Sequence, residues 1–530
     1  MTTAAPDPIA DLHAARRNNW NTWVATHAEM NPDGEALRYL GQATTWSQLH
    51  ERSGKFADAL ARRGVGEGDR VMLITLNTPE FIEAVLGINL LGAIAVPVNF
   101  RLTPPELAYL VGDCTPKVVV TDAMLAPLVG AIRARGEEPG DHIVIGGEPG
   151  TPDQTTYADA LAEAGEPHAR VDVPEDATAL IMYTSGTTGR PKGAMLSYEN
   201  LTAQSLTCIR VFRLFDEESR ALCAAPMFHI AALGSIAPSL QLGGVTVIHP
   251  LQAFDPAGLL DTLEAEEITS IFLVPVQWQA VCAEQQANPR NLTLRNISWG
   301  AAPSTDTILR AMAETFPDAL NCAVFGQTEM SPITCALDGD DAIRKLGSVG
   351  KVIPTVQARV VDPFGEPVPQ GEVGEIVYRG PTMMKGYWNK PEETAEAFEG
   401  GWFHSGDLVR MDEEGFVYVV DRKKDMIISG GENIYCTEVE NTIAGHPRVR
   451  EVAVIGRKDA KWGEVPVAVV AQNESDGPDL TLDELTEWLR ERLAGFKLPK
   501  DLVHVDELPR NASGKVFKGT LRSEHGSVGV

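Results

Sequence analysis

The sequence predicts an α/β protein: a large N-terminal domain of mostly parallel sheets covered by helices, then a small α+β unit. Three observations carry this. Strand-like and helix-like segments alternate from about residue 35 onward, the arrangement that packs helices on both faces of a parallel sheet. The 530 residues exceed what one hydrophobic core usually organises, so two or more domains are expected. At residues 421–425 a short charged run follows a strand, and the pattern beyond it differs.

The elements follow in order. Residues 71–76 read as a strand, 79–91 as a helix with proline at its start, 93–98 as a strand, 104–114 as a helix and 117–121 as a third strand. Residues 179–183 form an apolar run of buried-strand type, and 270–274 is the clearest later strand. Residues 362–371 are dense in turn formers and lead to strands at 375–378 and 415–420, expected to be antiparallel. Beyond the break, strands at 449–455 and 465–471 and a helix over 482–493, apolar at Leu482, Leu485, Leu489 and Leu493, make a unit of about a hundred residues. The domains are therefore set at 1–421 and 422–530.

Composition excludes some functions. A net charge of −28, from 45 basic and 73 acidic residues, argues against nucleic acid, which calls for a basic footprint, and against tight adsorption to anionic lipid. Seven scattered cysteines without a Cys-x-x-Cys pair read as reduced thiols of a cytoplasmic protein, with neither a disulfide framework nor a zinc site. The most apolar stretch, 84–100, is interrupted by Gly87, Asn89, Gly92 and Pro97, so a buried helix leading into a strand fits better than a membrane span. No secretory signal is visible in the first residues.

The most informative stretch is Thr184, Ser185, Gly186, Thr187, Thr188, Gly189, Arg190, Pro191, Lys192, Gly193. Glycines let backbone approach a ligand closely, hydroxyls donate, and a lysine adds charge, a combination suited to polyphosphate. The spacing is not that of a Walker A loop, because Pro191 stands five residues after Gly186 and no hydroxyl follows Lys192.

This string resembles the phosphate loop of the acyl-adenylate-forming superfamily, which includes acyl-CoA synthetases, luciferases and peptide-synthetase adenylation domains. Further segments match in the expected order: Pro226 to His229, Phe325-Gly326-Gln327-Thr328-Glu329, Trp402 to Asp407 with Asp421 to Lys424, and Pro509 to Lys515. The resemblance covers nearly the whole chain. It implies stacked sheets with a β-barrel-like subdomain in the large domain, a mobile C-terminal domain, and ATP, Mg2+ and coenzyme A as the molecules used. A carboxylate would attack the α-phosphorus of ATP, and a thiol would then displace AMP.

The resemblance also assigns roles. Thr184, Ser185, Gly186, Thr187, Thr188, Gly189 and Lys192 would hold the β- and γ-phosphates. Thr328 would bond the α-phosphate and Glu329 would ligate magnesium, as hard carboxylate oxygen suits that ion. Phe325 replaces the usual adenine-stacking tyrosine, with Gly326 and Gln327 beside it. Gly300, Ala301 and Ala302 would line the adenine and acyl pockets. Asp407 would clamp the ribose with Arg422 as its partner, Lys424 would be the hinge, and Lys515 would reach the reacting carboxylate and α-phosphate. Gly430 and Gly431 would line the pantetheine tunnel.

His229 would gate the acyl pocket. Adenylation domains for α-amino acids carry Asp there, so a carboxylic acid without an ammonium group is expected. Ala231 stands where coumarate ligases carry Tyr, and Val324 where they usually carry Gly, which favours medium- to long-chain fatty acids or hydrophobic aromatic acids. The segment 424–434 is similar to actinobacterial fatty-acyl-CoA ligases. Other readings stay open: a stand-alone adenylation enzyme loading an acyl carrier protein, a luciferase-type oxygenase, and a non-catalytic AMP- or acyl-binding protein.

Overall fold

The computed structural model describes residues 16–148, 150–168, 171–184, 190–214, 218–302, 304–430, 432–472, 478–510 and 516–526. They form a mixed α/β protein with two compact units, one of residues 16–184, 190–357 and 378–403, the other of 358–377 and 404–526.

In the first unit one sheet runs Gly386–Tyr387, Lys192–Ser197, Thr178–Thr184, Ile94–Pro97, Arg70–Ile74, Val118–Asp122, Asp141–Ile145, Gln154–Thr156. From Thr178–Thr184 onward the neighbours are parallel, whereas Lys192–Ser197 and Gly386–Tyr387 are antiparallel additions. Buried runs such as Val71 to Ile74 and Val118 to Val120 explain why these strands show no polar alternation: both faces are covered. The helix Pro79–Leu90 is buried at every position from Phe81 to Leu90. It is thus the apolar stretch seen in the sequence, and it leads into the strand Ile94–Pro97. Gly87 is required there, since a Cβ would lie 2.7 Å from the Ser53 carbonyl oxygen on the helix Trp46–Arg62.

The other sheet of this unit runs Gly350–Val352, Ile333–Leu337, Leu320–Gly326, Asn296–Gly300, Ser270–Leu273, Arg220–Cys223, Val245–Ile248, Glu35–Tyr39, Gln42–Thr45. Its centre, from Leu320–Gly326 to Glu35–Tyr39, is parallel.

The strands Gln357–Val361, Gly374–Arg379, Phe403–Met411 and Phe416–Arg422, most of whose residues belong to the second unit, neighbour one another in that order, the last two antiparallel. Farther on, Glu451–Asp459 and Gly463–Ala471 pair antiparallel and bury both faces. Val454, Ala468 and Val470 meet the helices Cys436–Ala444 and Leu482–Arg490, while Ala453, Ile455, Val467 and Val469 meet Leu521 of the helix Lys518–His525.

The helix Leu482–Arg490 starts at a capping box: Thr481 Oγ1 accepts the Glu484 amide and Glu484 Oε2 accepts the Thr481 amide, at 3.3 and 2.8 Å. It ends three residues before Leu493, which closes a last turn through its amide to the Leu489 carbonyl and still packs on the core. Among the described residues no helix is long and apolar enough to cross a membrane.

Candidate functional site

Parallel pairing places the ends of several strands on one edge of a sheet, and in open α/β sheets ligands bind beyond the carboxyl ends. Arg220–Cys223, Asn296–Gly300 and Leu320–Gly326 belong to one parallel run. The segments that follow them, 224–229, 301–302 and 327–330, therefore leave from the same edge. Three motifs far apart in sequence are gathered by strand direction alone.

Glu329 lies on the short 3₁₀ turn Thr328–Met330 and is 7% exposed. Its Oε1 accepts the hydroxyls of Thr184 and Tyr387, each at 3.1 Å. Among the described residues no hydrogen bond reaches Oε2. Lys192, 8% exposed and opposite Thr184 in the strand pair, has its Nζ 5.2 Å from the centre of the Tyr387 ring. Gly326 holds the turn in place: at φ +154° a Cβ would fall 1.8 Å from the Pro332 carbonyl oxygen. Gln327 donates its amide to that same oxygen at 3.0 Å.

A hard cation fits this site. One Glu329 oxygen is committed to hydroxyl donors and the other meets no donor among the described residues, where no three His, Cys, Asp or Glu side chains cluster as a cage either. A magnesium ion held here would therefore take its remaining ligands from phosphate oxygens and water, its usual habit.

His229 is the residue before the helix Ile230–Leu242, with its amide on the Pro226 carbonyl at 2.9 Å and its ring 4.5 Å from that of Phe228. Phe228 in turn meets Phe100 edge-on at 5.6 Å. Buried Asn77 ties this loop down, accepting the Met227 amide and donating to the Ala225 carbonyl, both at 2.9 Å. Ala231 is half-buried on the first turn of the helix.

Gly300 and Val324 are paired across parallel strands, and a Cβ at Gly300 would sit 2.3 Å from the Val324 carbonyl oxygen. Ala301 is in the left-handed region at φ +64°, and both it and Ala302 are exposed. Phe325 is half-buried, its carbonyl accepting Thr334 Oγ1 at 3.2 Å.

The second unit carries the other residues. Asp407, 1% exposed, faces Arg422 across the antiparallel pair, with Oδ1 2.7 Å from Nε. Glu375 pins the turn before it: Oε1 accepts the Gly406 amide at 2.9 Å, and Oε2 meets Lys423 Nζ at 2.9 Å and His404 Nδ1 at 3.1 Å. Burial would raise the Glu375 pKa, but these partners outweigh it and hold the carboxyl below its ordinary value. Lys424 is exposed in the turn closed by the Asp425 and Met426 amides on the Arg422 carbonyl. Gly430, at φ +61°, donates to the Trp462 carbonyl at 2.7 Å, and a Cβ there would touch the Trp462 ring at 2.7 Å.

Ser185, Gly186, Thr187, Thr188, Gly189, Gly431 and Lys515 lie outside the described residues. Tyr387, Asn77 and Glu375 were not foreseen from the sequence. Each sits in an unremarkable strand or turn segment, and only pairing across long sequence separations reveals what it holds.

Residues 24–388 match the family model described as AMP-binding enzyme, and residues 438–515 match AMP-binding enzyme C-terminal domain. The chain is 41% identical over 517 residues to a feruloyl-CoA synthase of an Amycolatopsis species, covering 96% of this chain and 100% of that one. It is 35% identical over 496 residues to a long-chain-fatty-acid–CoA ligase of Mycobacterium tuberculosis, covering 91% and 93%. The o-succinylbenzoate CoA synthetase of Bacillus subtilis, solved with ATP and magnesium ion, matches with a TM-score of 0.83 and 31% identity, covering 94% of this chain and 99% of that one. The chain belongs to the AMP-binding enzyme family, within the acyl-adenylate-forming superfamily and its acyl-CoA synthetase branch.

Proposed function

We propose that this protein is an ATP-dependent carboxylic acid:CoA ligase of the AMP-forming type. The observation that carries the reading is buried Glu329, with one oxygen held by Thr184 and Tyr387 and the other without a donor among the described residues, in the same unit as buried Lys192. A buried carboxylate near a buried ammonium is costly to maintain in an idle loop and well suited to a metal–triphosphate.

In the first half-reaction the acid's carboxylate oxygen bonds to the α-phosphorus and the bond to pyrophosphate breaks. Lys192 and the loop 184–189 hold the β- and γ-phosphates, Thr328 the α-phosphate, and Lys515 offsets charge on the reacting oxygens. Magnesium, when bound at Glu329, supplies neutralisation of the phosphate charge. Asp407 accepts from the ribose hydroxyls, oriented by Arg422, while Phe325 stacks on adenine beside Gly300 to Ala302. In the second half-reaction the CoA thiol attacks the acyl carbon and AMP leaves. A hinge at Lys424, with domains of 1–421 and 422–530, brings Gly430 and Gly431 to the pantetheine tunnel. Such chemistry needs positioning and charge stabilisation rather than a covalent protein nucleophile.

The acyl group is a medium- to long-chain fatty acid or a hydrophobic aromatic acid, on the strength of apolar Ala231 and Val324 and the Phe100–Phe228 pair near the His229 gate. A second reading, a hydroxycinnamate, is favoured by the 41% identical relative named feruloyl-CoA synthase. Pyrophosphate release with ATP and magnesium, measured across fatty, phenylalkanoic and hydroxycinnamic acids with and without CoA, separates them. Release with no acid at all would sink the ligase reading.

A further inference from the structure

Tyr387 stands on a two-residue strand, Gly386–Tyr387, paired antiparallel with Lys192–Ser197 so that it faces Ala194. Its backbone is fixed independently: its amide donates to Thr394 Oγ1 at 2.9 Å, and Gly386, at φ +143°, leaves no room for a Cβ beside the Thr394 methyl. The side chain then reaches two groups at once. The hydroxyl donates to Glu329 Oε1 at 3.1 Å, and the ring lies 5.2 Å from Lys192 Nζ. A second tie joins the same segments, the Met384 amide on the Glu329 carbonyl at 2.8 Å.

We infer that Tyr387 is a positioning residue for the metal–triphosphate site, its hydroxyl fixing which Glu329 oxygen faces the metal and its ring fixing the Lys192 ammonium. The inference deepens the ligase reading and rests on it. With Oε1 occupied by two hydroxyl donors, the carboxylate cannot rotate without breaking both bonds, so Oε2 is presented in one orientation. Outer partners of this kind commonly change metal affinity about 10–100-fold when removed. A ring facing a desolvated ammonium adds a separate attraction that phenylalanine would keep and leucine would lose.

The two contacts can be removed one at a time. Calorimetric titration of ATP into the full-length protein, at stepped Mg2+ concentrations and in EDTA, reads the metal-linked and metal-free parts of binding. Tyr387→Phe is expected to raise the half-saturating Mg2+ about tenfold while leaving ATP affinity in EDTA unchanged. Tyr387→Leu should weaken both. In a Glu329→Gln background, Tyr387→Phe should shift the Mg2+ requirement no further. A wild-type Mg2+ response in Tyr387→Phe, or an equal shift in the Glu329→Gln background, overturns the inference. Tyr387→Phe keeps the ring volume, so it decides the hydroxyl's role even if the leucine variant does not fold. Should the unmodified protein bind Mg2+ and ATP but release no pyrophosphate with any acid, the ligase reading fails while the calorimetry still judges Tyr387.

Discussion

Arg422 holds Asp407 across an antiparallel strand pair, Nε to Oδ1 at 2.7 Å, with the carboxylate 1% exposed and the guanidinium side chain 38% exposed. The acid is thus buried against a base that still reaches solvent. This asymmetry predicts different phenotypes for the two partners. Arg422→Gln removes the cation 2.7 Å from a buried carboxylate and should destabilise the second unit by about 1–3 kcal/mol, seen in thermal unfolding. Asp407→Asn removes the buried charge, so it should unfold near the wild-type temperature and instead raise KM for ATP about tenfold or more. Equal effects of both substitutions on KM with no change in unfolding would refute the clamp.

Lys515→Ala should nearly abolish adenylation, because one preorganised donor at developing charge is worth about 10²–10³ in rate. Conversion of a supplied acyl-adenylate to thioester should survive. Lys424→Pro should give the reverse, since proline fixes φ and prevents a hinge from taking two backbone states. Single-turnover pyrophosphate release and thioester formation, measured separately, check both; loss of the two half-reactions together in either variant contradicts the assignment.

The proposed pocket wall is tested at Val324 and Gly300. Val324→Gly should broaden the acid range toward bulkier substrates, read as kcat/KM across an acid panel. Gly300→Ala should be poorly tolerated, because its Cβ would meet the Val324 carbonyl oxygen at 2.3 Å and force the paired strands apart. If coumarate is the best substrate, or if acetate matches octanoate, the apolar reading of the pocket is wrong while adenylation stands.

His142 predicts an acid limb of stability. It is 2% exposed, its Nε2 lies 2.9 Å from Thr121 Oγ1, and burial pushes its pKa down to about 4, with Arg133 acting in the same direction and Asp153 against it. Between the unfolded value of about 6.5 and about 4 the unfolded chain binds the proton and the folded chain does not, so stability falls as pH falls through that window. The contribution is on the order of 3 kcal/mol. His142→Gln should flatten the melting temperature between pH 6.5 and 4 relative to wild type; parallel curves would show that other groups set the acid limb.

How far the sequence reaches depends on what kind of information an element needs. The strand Arg70–Ile74, the helix Pro79–Leu90 and the helix Pro104–Cys114 were legible because apolar runs and prolines at helix starts are local signals. The end of the helix Leu482–Arg490 was overrun, because Leu493 keeps the helical spacing while leaving the helix.

The motifs by themselves determined the family, since the phosphate-loop string, Phe325 to Glu329 and Trp402 to Asp407 are contiguous patterns readable from one chain. The tertiary structure decided what holds them. Tyr387 is 58 residues from Glu329, Thr184 is 145 residues from it, and Asn77 is 150 residues from Met227. A single hydroxyl or amide bond across such separations leaves no periodicity or spacing in the sequence. It exists only after strand pairing has brought the two backbones into register, which is why the motif residues were visible first and their long-range partners only later.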